Sequence, residues 1–210
     1  MCDPKGKLPE GKGMILVISG PSGVGKGTLR ERLLKRFPSM RRSISVTTRR
    51  PRPGEVHGRD YFFVSREEFQ RMIGEGKFLE WAWVFDELYG TPAGWVEEQL
   101  SSGVDVLLEI DVQGAFQVKE KKPDAVLVFI APPSWEELER RLRKRHTEDE
   151  EEVRRRLKVA RREVEMAPRY DYVVVNDDLD QAAYELECIV VAEKCRAFRR
   201  RWGVRGDGGS

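Results

Sequence analysis

The 210-residue sequence contains few cysteines, few histidines and little net charge. Its three cysteines, Cys2, Cys188 and Cys195, are an odd number without metal-ligand spacing. They predict reduced thiols in a cytoplasmic protein rather than disulfides or a zinc site. His57 and His146 are isolated, with no nucleophile or ligand set beside either of them in the sequence. This arrangement argues against histidine chemistry.

Long hydrophobic runs are also absent. No stretch approaches the roughly 20 apolar residues of a membrane-spanning helix, and the polar start, 1–13, lacks the apolar centre of a secretion signal. Lys and Arg number 38 against 36 Asp and Glu, and the resulting net charge of +2 argues against a general nucleic-acid binder. We therefore expect neither a membrane nor a nucleic acid as partner.

The most specific motif is a glycine-rich loop that follows the apolar run 14–19. Its residues are Gly20-Pro21-Ser22-Gly23-Val24-Gly25-Lys26-Gly27-Thr28. Glycines let successive backbone N–H groups face one point, and the helix that follows adds partial positive charge at its N terminus. This is the layout of a P-loop, so we expect these residues to bind the phosphates of a nucleoside triphosphate. Lys26 would supply a full positive charge.

The loop departs from the strictest pattern at one position. Gly27 follows Lys26 where a hydroxyl is expected to meet magnesium, and Thr28 comes one residue later. We therefore expect Mg²⁺ to be held partly through water, with Thr28 as the nearest protein hydroxyl.

Apolar runs elsewhere predict a parallel sheet. They are nearly continuous rather than alternating, which is typical of strands buried on both faces. The predicted strands are 14–19, 43–46, 104–110, 125–131 and 172–175. Helices are predicted at 28–37 and at about 181–198 from their apolar periodicity. The sequence therefore predicts an α/β fold in which a five-stranded parallel sheet is flanked by helices.

Two stretches interrupt this alternation. The first, 47–99, is rich in Arg, Tyr and Trp, and the second, 134–163, is a helical pair dense in Arg and Glu. Thr147 and Glu150 form a capping-box signal inside the second. We expect both stretches to be mobile insertions, and both tails, 1–13 and 203–210, to be flexible. The remaining segments, predicted to form the core, are 14–46, 100–133 and 164–198.

An arginine-rich loop predicts a second phosphate site. Arg49 and Arg52 flank a proline-stiffened loop, and each guanidinium fork matches two phosphate oxygens at once. Ser45 and Tyr61 could add neutral hydroxyl donors. We therefore expect the second ligand to carry a phosphate group.

From 14 to about 194 the sequence closely resembles guanylate kinases. The resemblance is carried by the P-loop, by the Thr-Thr-Arg-x-Pro-Arg-x-Gly-Glu stretch and by five short motifs. These are Asp60-Tyr61, Glu80-Trp81-Ala82, Tyr89-Gly90-Thr91, Asp111-Val112-Gln113-Gly114 and Val175-Asn176-Asp177-Asp178. The resemblance implies a P-loop nucleotide-kinase fold and transfer of the γ-phosphoryl group of ATP to GMP or dGMP. It makes 47–99 the GMP-binding region and 134–163 the lid over ATP.

The same resemblance implies roles for individual residues at the acceptor. Glu80 would accept hydrogen bonds from guanine N1–H and the 2-amino group, and Thr91 would donate one to O6. Asp111 would organise Mg²⁺ or position GMP. The residues implied to contact the GMP phosphate are Ser45, Arg49, Arg52, Tyr61 and Tyr89.

At the donor, the resemblance implies that Arg141, Arg145 and Arg156 of the lid contact phosphates and stabilise the charge of the transferred group. Asn176 would help to shape the adenine pocket. The catalytic set implied in this way is Lys26, Arg49, Arg141, Arg145 and Arg156. No general base is required, because the attacking group is already a phosphate oxygen.

Three other functions remain open from the sequence alone. Some scaffold proteins carry guanylate-kinase-like domains that bind protein ligands without catalysis, although this chain keeps Lys26 and the lid arginines. A GTPase is a second alternative, because 111–114 fits Asp-x-x-Gly, but no Asn-Lys-x-Asp motif accompanies it. A kinase for another phosphorylated acceptor is the third. We expect a monomer or a homodimer.

Overall fold

A computed structural model describes residues 11–144 and 150–200. Its strands and helices alternate through most of the chain. They are β1 (Ile15–Ser19), α1 (Lys26–Arg36), β2 (Arg41–Arg42), β3 (Val46–Thr47), β4 (Phe62–Phe63), α2 (Arg66–Gly74), β5 (Phe78–Val84), β6 (Glu87–Pro92), α3 (Ala93–Ser101), β7 (Val106–Glu109), α4 (Val112–Lys121), β8 (Val126–Ala131), α5 (Trp135–Arg143), α6 (Glu150–Glu165), a short 3-10 helix (Ala167–Arg169), β9 (Tyr172–Val175) and α7 (Leu179–Lys194).

The core sheet has five parallel strands in the order β2-β7-β1-β8-β9. Leu16 and Ile18 of β1 face one apolar cluster, which includes residues of α1 and α7. Ile15 and Val17 face the other, which includes residues of α4. Because both faces are covered, the strands are apolar on both sides, and the predicted α/β fold is confirmed.

The strand predicted at 43–46 is wrong in its boundaries. The edge strand of the core sheet is β2, which pairs with β7, and the Ser43 amide still donates to Leu107 O at 3.1 Å. Val46 and Thr47 pair instead with Gly90 and Tyr89 in a second sheet. The chain crosses between the two sheets here because the Val46 side chain packs in the apolar cluster of the second sheet.

The second sheet is mixed and has four strands in the order β4-β3-β6-β5. Its own apolar cluster includes Val46, Phe69, Phe78 and Leu88, with Phe69 of α2 stacked on Phe78 at 4.5 Å between ring centroids. The sheet lies almost entirely within the predicted insertion 47–99. Its short strands were not predicted in detail, since two-residue strands leave no periodic pattern.

The second predicted insertion forms the helices α5 and α6. Ser134 caps α5 by accepting a hydrogen bond from the Glu137 amide at 3.1 Å, and Leu138 and Leu142 bury the inner face of that helix. Predictions for Arg145, His146 and Thr147 lie outside the described residues. Within the described part of the chain, no helix is both long enough and apolar enough to cross a membrane.

The ends of the described chain contact each other. Gly11 forms an isolated antiparallel bridge with Arg200, and the Lys12 amide donates to Arg199 O at 2.9 Å. Residues 11–13, predicted as the end of a loose tail, are therefore held by the segment that follows α7. Residues 1–10 and 203–210 of the predicted tails lie outside the described residues.

Candidate active site

The glycine-rich loop connects β1 to α1 at the carboxyl end of the core sheet. Gly20, Gly23 and Gly25 have φ values of +141°, +87° and +96°, which L side chains rarely adopt. A Cβ at Gly20 would overlap Ile130 O, and one at Gly25 would overlap the Asn176 amide. Gly25 is also the N-cap of α1 and has no side chain to cover the first turn. The backbone N–H groups of that turn are therefore accessible to an anion.

Lys26 is folded back onto this loop. Its Nζ donates to Gly20 O at 2.5 Å and to Pro21 O at 3.0 Å. The ammonium group therefore lies inside the ring of backbone groups where a phosphate would bind. A phosphate oxygen would compete with these two carbonyls for the charge.

One cleft of about 920 Å³ joins the loop to the second sheet. This size lies at the upper end of the range for ligand pockets, about 300–1,000 Å³. Many of the predicted site residues line it. They are Gly20, Ser22, Gly23, Gly25, Lys26, Gly27, Ser45, Arg52, Tyr61, Glu80, Tyr89, Asp111 and Arg156.

Other predicted site residues within the described chain are not part of this lining. They are Pro21, Val24, Thr28, Arg49, Thr91, Arg141 and Asn176. Thr28 is exposed on α1, whereas Thr91 and Arg49 contact residues that do line the cleft. The expected contact of Thr28 with Mg²⁺ stays a prediction.

Glu80 and Thr91 are neighbours across β5 and β6. Glu80 is 3% exposed, and the fully buried Thr91 donates its hydroxyl to Glu80 Oε1 at 2.5 Å. Burial is the main cause that raises the pKa of Glu80 to about 7; the Thr91 hydrogen bond opposes the shift and the negative charge of Asp111 adds to it. A Cβ at Gly114 would overlap Glu80 Oε2, so glycine lets α4 approach the carboxylate closely.

Glu55 organises the arginines of the predicted phosphate site. Arg49 Nη2 donates to both carboxylate oxygens of Glu55 at 2.9 Å, while Arg49 Nε donates to the Tyr89 hydroxyl at 3.1 Å. The Arg52 amide donates to Glu55 Oε2 at 2.8 Å, which leaves the Arg52 side chain to line the cleft. Glu55 ends the Thr-Thr-Arg-x-Pro-Arg-x-Gly-Glu stretch of the family resemblance, but sequence analysis predicted no role for it.

Two carboxyl groups lie between the loop and the second sheet. Asp111 caps α4, accepting from the Gly114 amide at 2.9 Å and from Gln113 Nε2 at 3.0 Å. Glu163 of α6 lines the same cleft. Burial raises the pKa of Asp111 and raises that of Glu163 to about 7, and the positive charge of Lys26 opposes both shifts. Sequence analysis did not single out Glu163.

The arginines of the predicted lid are held by carboxylates of their own helices, Arg141 by Glu137 and Arg156 by Glu152. Arg156 Nε donates to Glu152 at 2.9 Å, and its Nη1 donates to Ser22 Oγ of the loop at 3.2 Å. Arg141 Nη1 donates to Asn176 O at 3.0 Å, which places it beside the loop from the other side. Asn176 Nδ2 in turn donates to Val24 O at 2.8 Å.

Helix α6 of the predicted lid touches the turn between β5 and β6, a contact that sequence analysis missed. Phe85 has a φ of +47°, the one positive value for a non-glycine residue within 11–144 and 150–200. Its ring centroid lies 5.3 Å from the guanidinium carbon of Arg155 and 5.2 Å from that of Arg156. Asp86 forms an ion pair with Arg155 at 3.1 Å. Arg155, Arg162 and Phe85 all line the cleft.

Comparison with known proteins gives consistent results over nearly the whole chain. The family model described as guanylate kinase matches residues 12–193. A guanylate kinase from Caldanaerobacter subterraneus is 53% identical over 190 residues, which are 90% of this chain and 92% of the relative. One from Desulfitobacterium hafniense is 49% identical, covering 95% of this chain and 100% of the relative.

A solved structure agrees with these relatives. The crystal structure of guanylate kinase from Anaplasma phagocytophilum matches with a TM-score of 0.76 at 40% identity. The match covers 91% of this chain and 92% of that one. Similarity in sequence and in fold therefore extends across the core sheet, the second sheet and the helices α5 and α6.

Proposed function

The chain belongs to the guanylate kinase family, and from this premise we propose how its residues transfer the γ-phosphoryl group of ATP to GMP or dGMP. The observation that carries the proposal is the cleft in which the P-loop at one end faces the buried Glu80–Thr91 pair at the other. A donor site and an acceptor site share one enclosed space, as direct transfer between two nucleotides requires.

The donor phosphates bind at the loop and at the first turn of α1. Backbone N–H groups and the helix N terminus favour negative charge there, and Lys26 exchanges its carbonyl partners for phosphate oxygens. Asn176 and Arg141 shape the wall behind the loop, next to Val24, where the nucleoside of the donor would lie.

Glu80 recognises the acceptor base, and Thr91 holds the Glu80 carboxylate by donating its hydroxyl proton to Oε1; the expected donation from Thr91 to guanine O6 would require that same proton to leave Glu80. An ionised Glu80 accepts from guanine N1–H and the 2-amino group, whereas adenine presents an acceptor at N1. Each buried mismatch costs about 1–3 kcal/mol, and more for a charged group. Two or three such mismatches give a preference of about 10⁴-fold for GMP over AMP without an editing step.

The acceptor phosphate binds between the loop 45–55 and the tyrosines of the second sheet. Ser45, Arg52, Tyr61 and Tyr89 line the cleft there. Arg49 acts from behind this lining, because Glu55 and the Tyr89 hydroxyl hold its guanidinium group. It adds positive charge and fixes the orientation of Tyr89.

Transfer depends on positioning and electrostatic stabilisation rather than on proton abstraction. The attacking group is a GMP phosphate oxygen, so no general base is needed. Lys26 and Arg156 lie on the loop side of the cleft, where charge grows on the equatorial oxygens of the transferred group. Closure of the lid expels water and strengthens the interactions of Lys26 and Arg156 with the transferred group. Arg141 supports this wall, and the family assigns Arg145 the same kind of role.

The carboxylates of the cleft fit a Mg²⁺ ion bound with ATP. Within the described residues no group of three or more His, Cys, Asp or Glu could hold a metal ion. This suits Mg²⁺, which keeps several waters and takes one or two carboxylates together with substrate phosphates. Asp111 would hold it through water, with Glu163 as a second carboxylate facing the same space. The bound ion supplies neutralising charge at the phosphates.

The remaining expectations belong to the same proposal. The substrates are the nucleotides ATP and GMP, and we retain neither a nucleic acid nor a membrane as partner. The thiols of Cys188 and Cys195 are free, which supports a reducing compartment such as the cytoplasm. We retain a monomer or a homodimer as the assembly.

The deciding experiment measures ADP release with ATP and Mg²⁺, using GMP, dGMP, AMP, CMP and UMP as acceptors. We expect strong turnover with GMP and dGMP alone. GMP binding without turnover would favour a non-catalytic binding module. Phosphate release without any acceptor would favour a GTPase-like hydrolase, and turnover with another monophosphate would identify a different acceptor.

A further inference from the structure

Strand β5 lies at the edge of the second sheet and carries Glu80 near its middle. The outer edge of such a strand presents backbone N–H and C=O groups that no other strand pairs. Here the helix α4 of the core packs along that edge. Leu79 of β5 enters the same apolar cluster as Val112, Ala115 and Val118 of α4.

Three side chains of α4 bond to the backbone of β5, and we name them the α4 ladder: Gln113, Gln117 and Lys121. Gln113 Nε2 donates to Trp83 O at 3.3 Å. Lys121 Nζ donates to Leu79 O at 2.6 Å. The ladder therefore satisfies backbone groups at both ends of the strand.

Gln117 makes the central contact of the ladder through both ends of its amide group. Its Oε1 accepts from the Trp81 amide at 3.2 Å, and its Nε2 donates to Trp81 O at 2.7 Å. A side-chain amide thus takes the place that a neighbouring strand would occupy.

The spacing of the ladder matches the geometry of both elements. Its residues are four apart on the helix, a rise of about 6 Å per step. Their partners, Trp83, Trp81 and Leu79, are two apart on the strand, a rise of about 6.6 Å per step. Helix and strand run in opposite directions, so one set of side chains follows the strand edge over its length.

The ladder brackets Glu80. Leu79 and Trp81, on either side of it, are both bonded to α4. The Glu80 carboxylate lies against Gly114, one turn before Gln117, and Asp111 caps the same helix. One helix of the core therefore adjoins both carboxylates: that of Glu80, which would bind the acceptor base, and that of Asp111, which would act at the phosphates.

We propose that Gln117 is a positioning residue for acceptor selection. Together with Gln113 and Lys121, it fixes Glu80 on α4, the core helix that Asp111 caps. Gln117 does not itself touch the acceptor. This inference rests on the proposed recognition of guanine by Glu80. It implies that the base is bound on a surface fixed to the core, whatever motion the loop 45–55 makes around the acceptor phosphate.

The test compares Gln117→Leu with Glu120→Leu, which changes an exposed position on the same helix. Gln117→Leu keeps the size of the side chain and removes both hydrogen bonds. We expect the KM for GMP to rise about tenfold, and the preference for GMP over AMP to fall, while the KM for ATP stays within about twofold.

Amide hydrogen exchange supplies a measurement that does not depend on activity. The Trp81 amide should exchange at least about tenfold faster in Gln117→Leu than in the wild type or in Glu120→Leu. Unchanged exchange at Trp81 would overturn the ladder itself. Faster exchange at Trp81 with equal rises in the KM for GMP, AMP and ATP would overturn the role of Gln117 in selection and leave only a structural one.

Two further measurements separate other failures. If Gln117→Leu does not fold, Lys121→Met removes an outer contact. Because it also removes a positive charge near Glu80, the KM values are compared at about pH 8.5, where Glu80 is ionised in both proteins, and a rise in the KM for GMP there without a matching rise for ATP is the supporting result. Equal rises for both would overturn the proposal. A wild-type enzyme that does not prefer GMP over AMP would contradict recognition by Glu80, whereas exchange at Trp81 would still test the ladder.

Discussion

Binding of GMP should release a proton near neutral pH, because the site needs Glu80 ionised and part of the empty protein carries this group protonated. Burial, together with the negative charge of Asp111, raises the pKa of Glu80 to about 7. The hydrogen bond from Thr91 and the positive charge of Lys121 act in the opposite direction. Guanine N1–H and the 2-amino group can both donate, one to each oxygen, only when the carboxylate is ionised.

The pKa of Glu80 sets how strongly GMP binding should depend on pH. With a pKa of about 7, the ionised fraction of Glu80 in the free enzyme falls from about nine-tenths at pH 8 to about one-tenth at pH 6. The affinity for GMP should therefore fall about tenfold over that interval. At pH 7 about half a proton per GMP should be released from Glu80.

Isothermal titration calorimetry in two buffers of different ionisation enthalpy measures this proton directly. GMP has its own phosphate pKa near 6, so Glu80→Gln is the matched control: it keeps that titration and removes the carboxyl. The difference between wild type and variant is then the contribution of Glu80. Equal proton release from both proteins would refute the argument. So would a wild-type affinity for GMP whose pH dependence is explained by the titration of the GMP phosphate alone.

Three other predictions concern the donor, the stability and the lid. Lys26→Ala should lower kcat at least about 100-fold while calorimetry still detects GMP binding, since it removes charge only at the donor. Glu80 should contribute a fall of up to about 3 kcal/mol in the free energy of unfolding as the pH rises from 4.5 to 7, because folded Glu80 retains a proton there that the unfolded chain has lost; in denaturant titrations the decline of Glu80→Gln should be smaller by this amount, with Glu163 and Asp111 accounting for what remains. Phe85→Ala should lower kcat about tenfold by releasing Arg155 and Arg156, and Phe85→Leu, which keeps the apolar bulk without the ring, should recover little in steady-state assays.

Much of the core could be predicted because its sequence pattern is local. The continuous apolar runs of β1, β7 and β8 reflect burial on both faces, and the strands lie where those runs do. The boundary at 43–46 could not be predicted, since Val46 is buried by residues of α2, β5 and β6 rather than by the core sheet. Pairing between distant segments decides such short strands.

The site divides in the same way. The P-loop is a contiguous motif whose glycines have a local conformational reason, so the sequence locates it directly. Glu80 and Thr91 meet because of the register between β5 and β6, and only the family resemblance related them in advance. The contact of Phe85 with Arg155 joins segments 70 residues apart, and on α6 alone Arg155 has the pattern of an exposed helical charge.

Selectivity and stability oppose each other at Glu80. Burial makes a mismatched base costly, because an unsatisfied carboxylate has no water to replace its lost partner. The same burial raises the pKa of Glu80 and weakens the folded state near neutral pH when no acceptor is bound. Thr91 and the positive charge of Lys121 offset part of this cost, and the ladder holds the strand where they can do so. A rigid surrounding is therefore a condition for burying this acid, and it explains why a core helix rather than a mobile loop adjoins it.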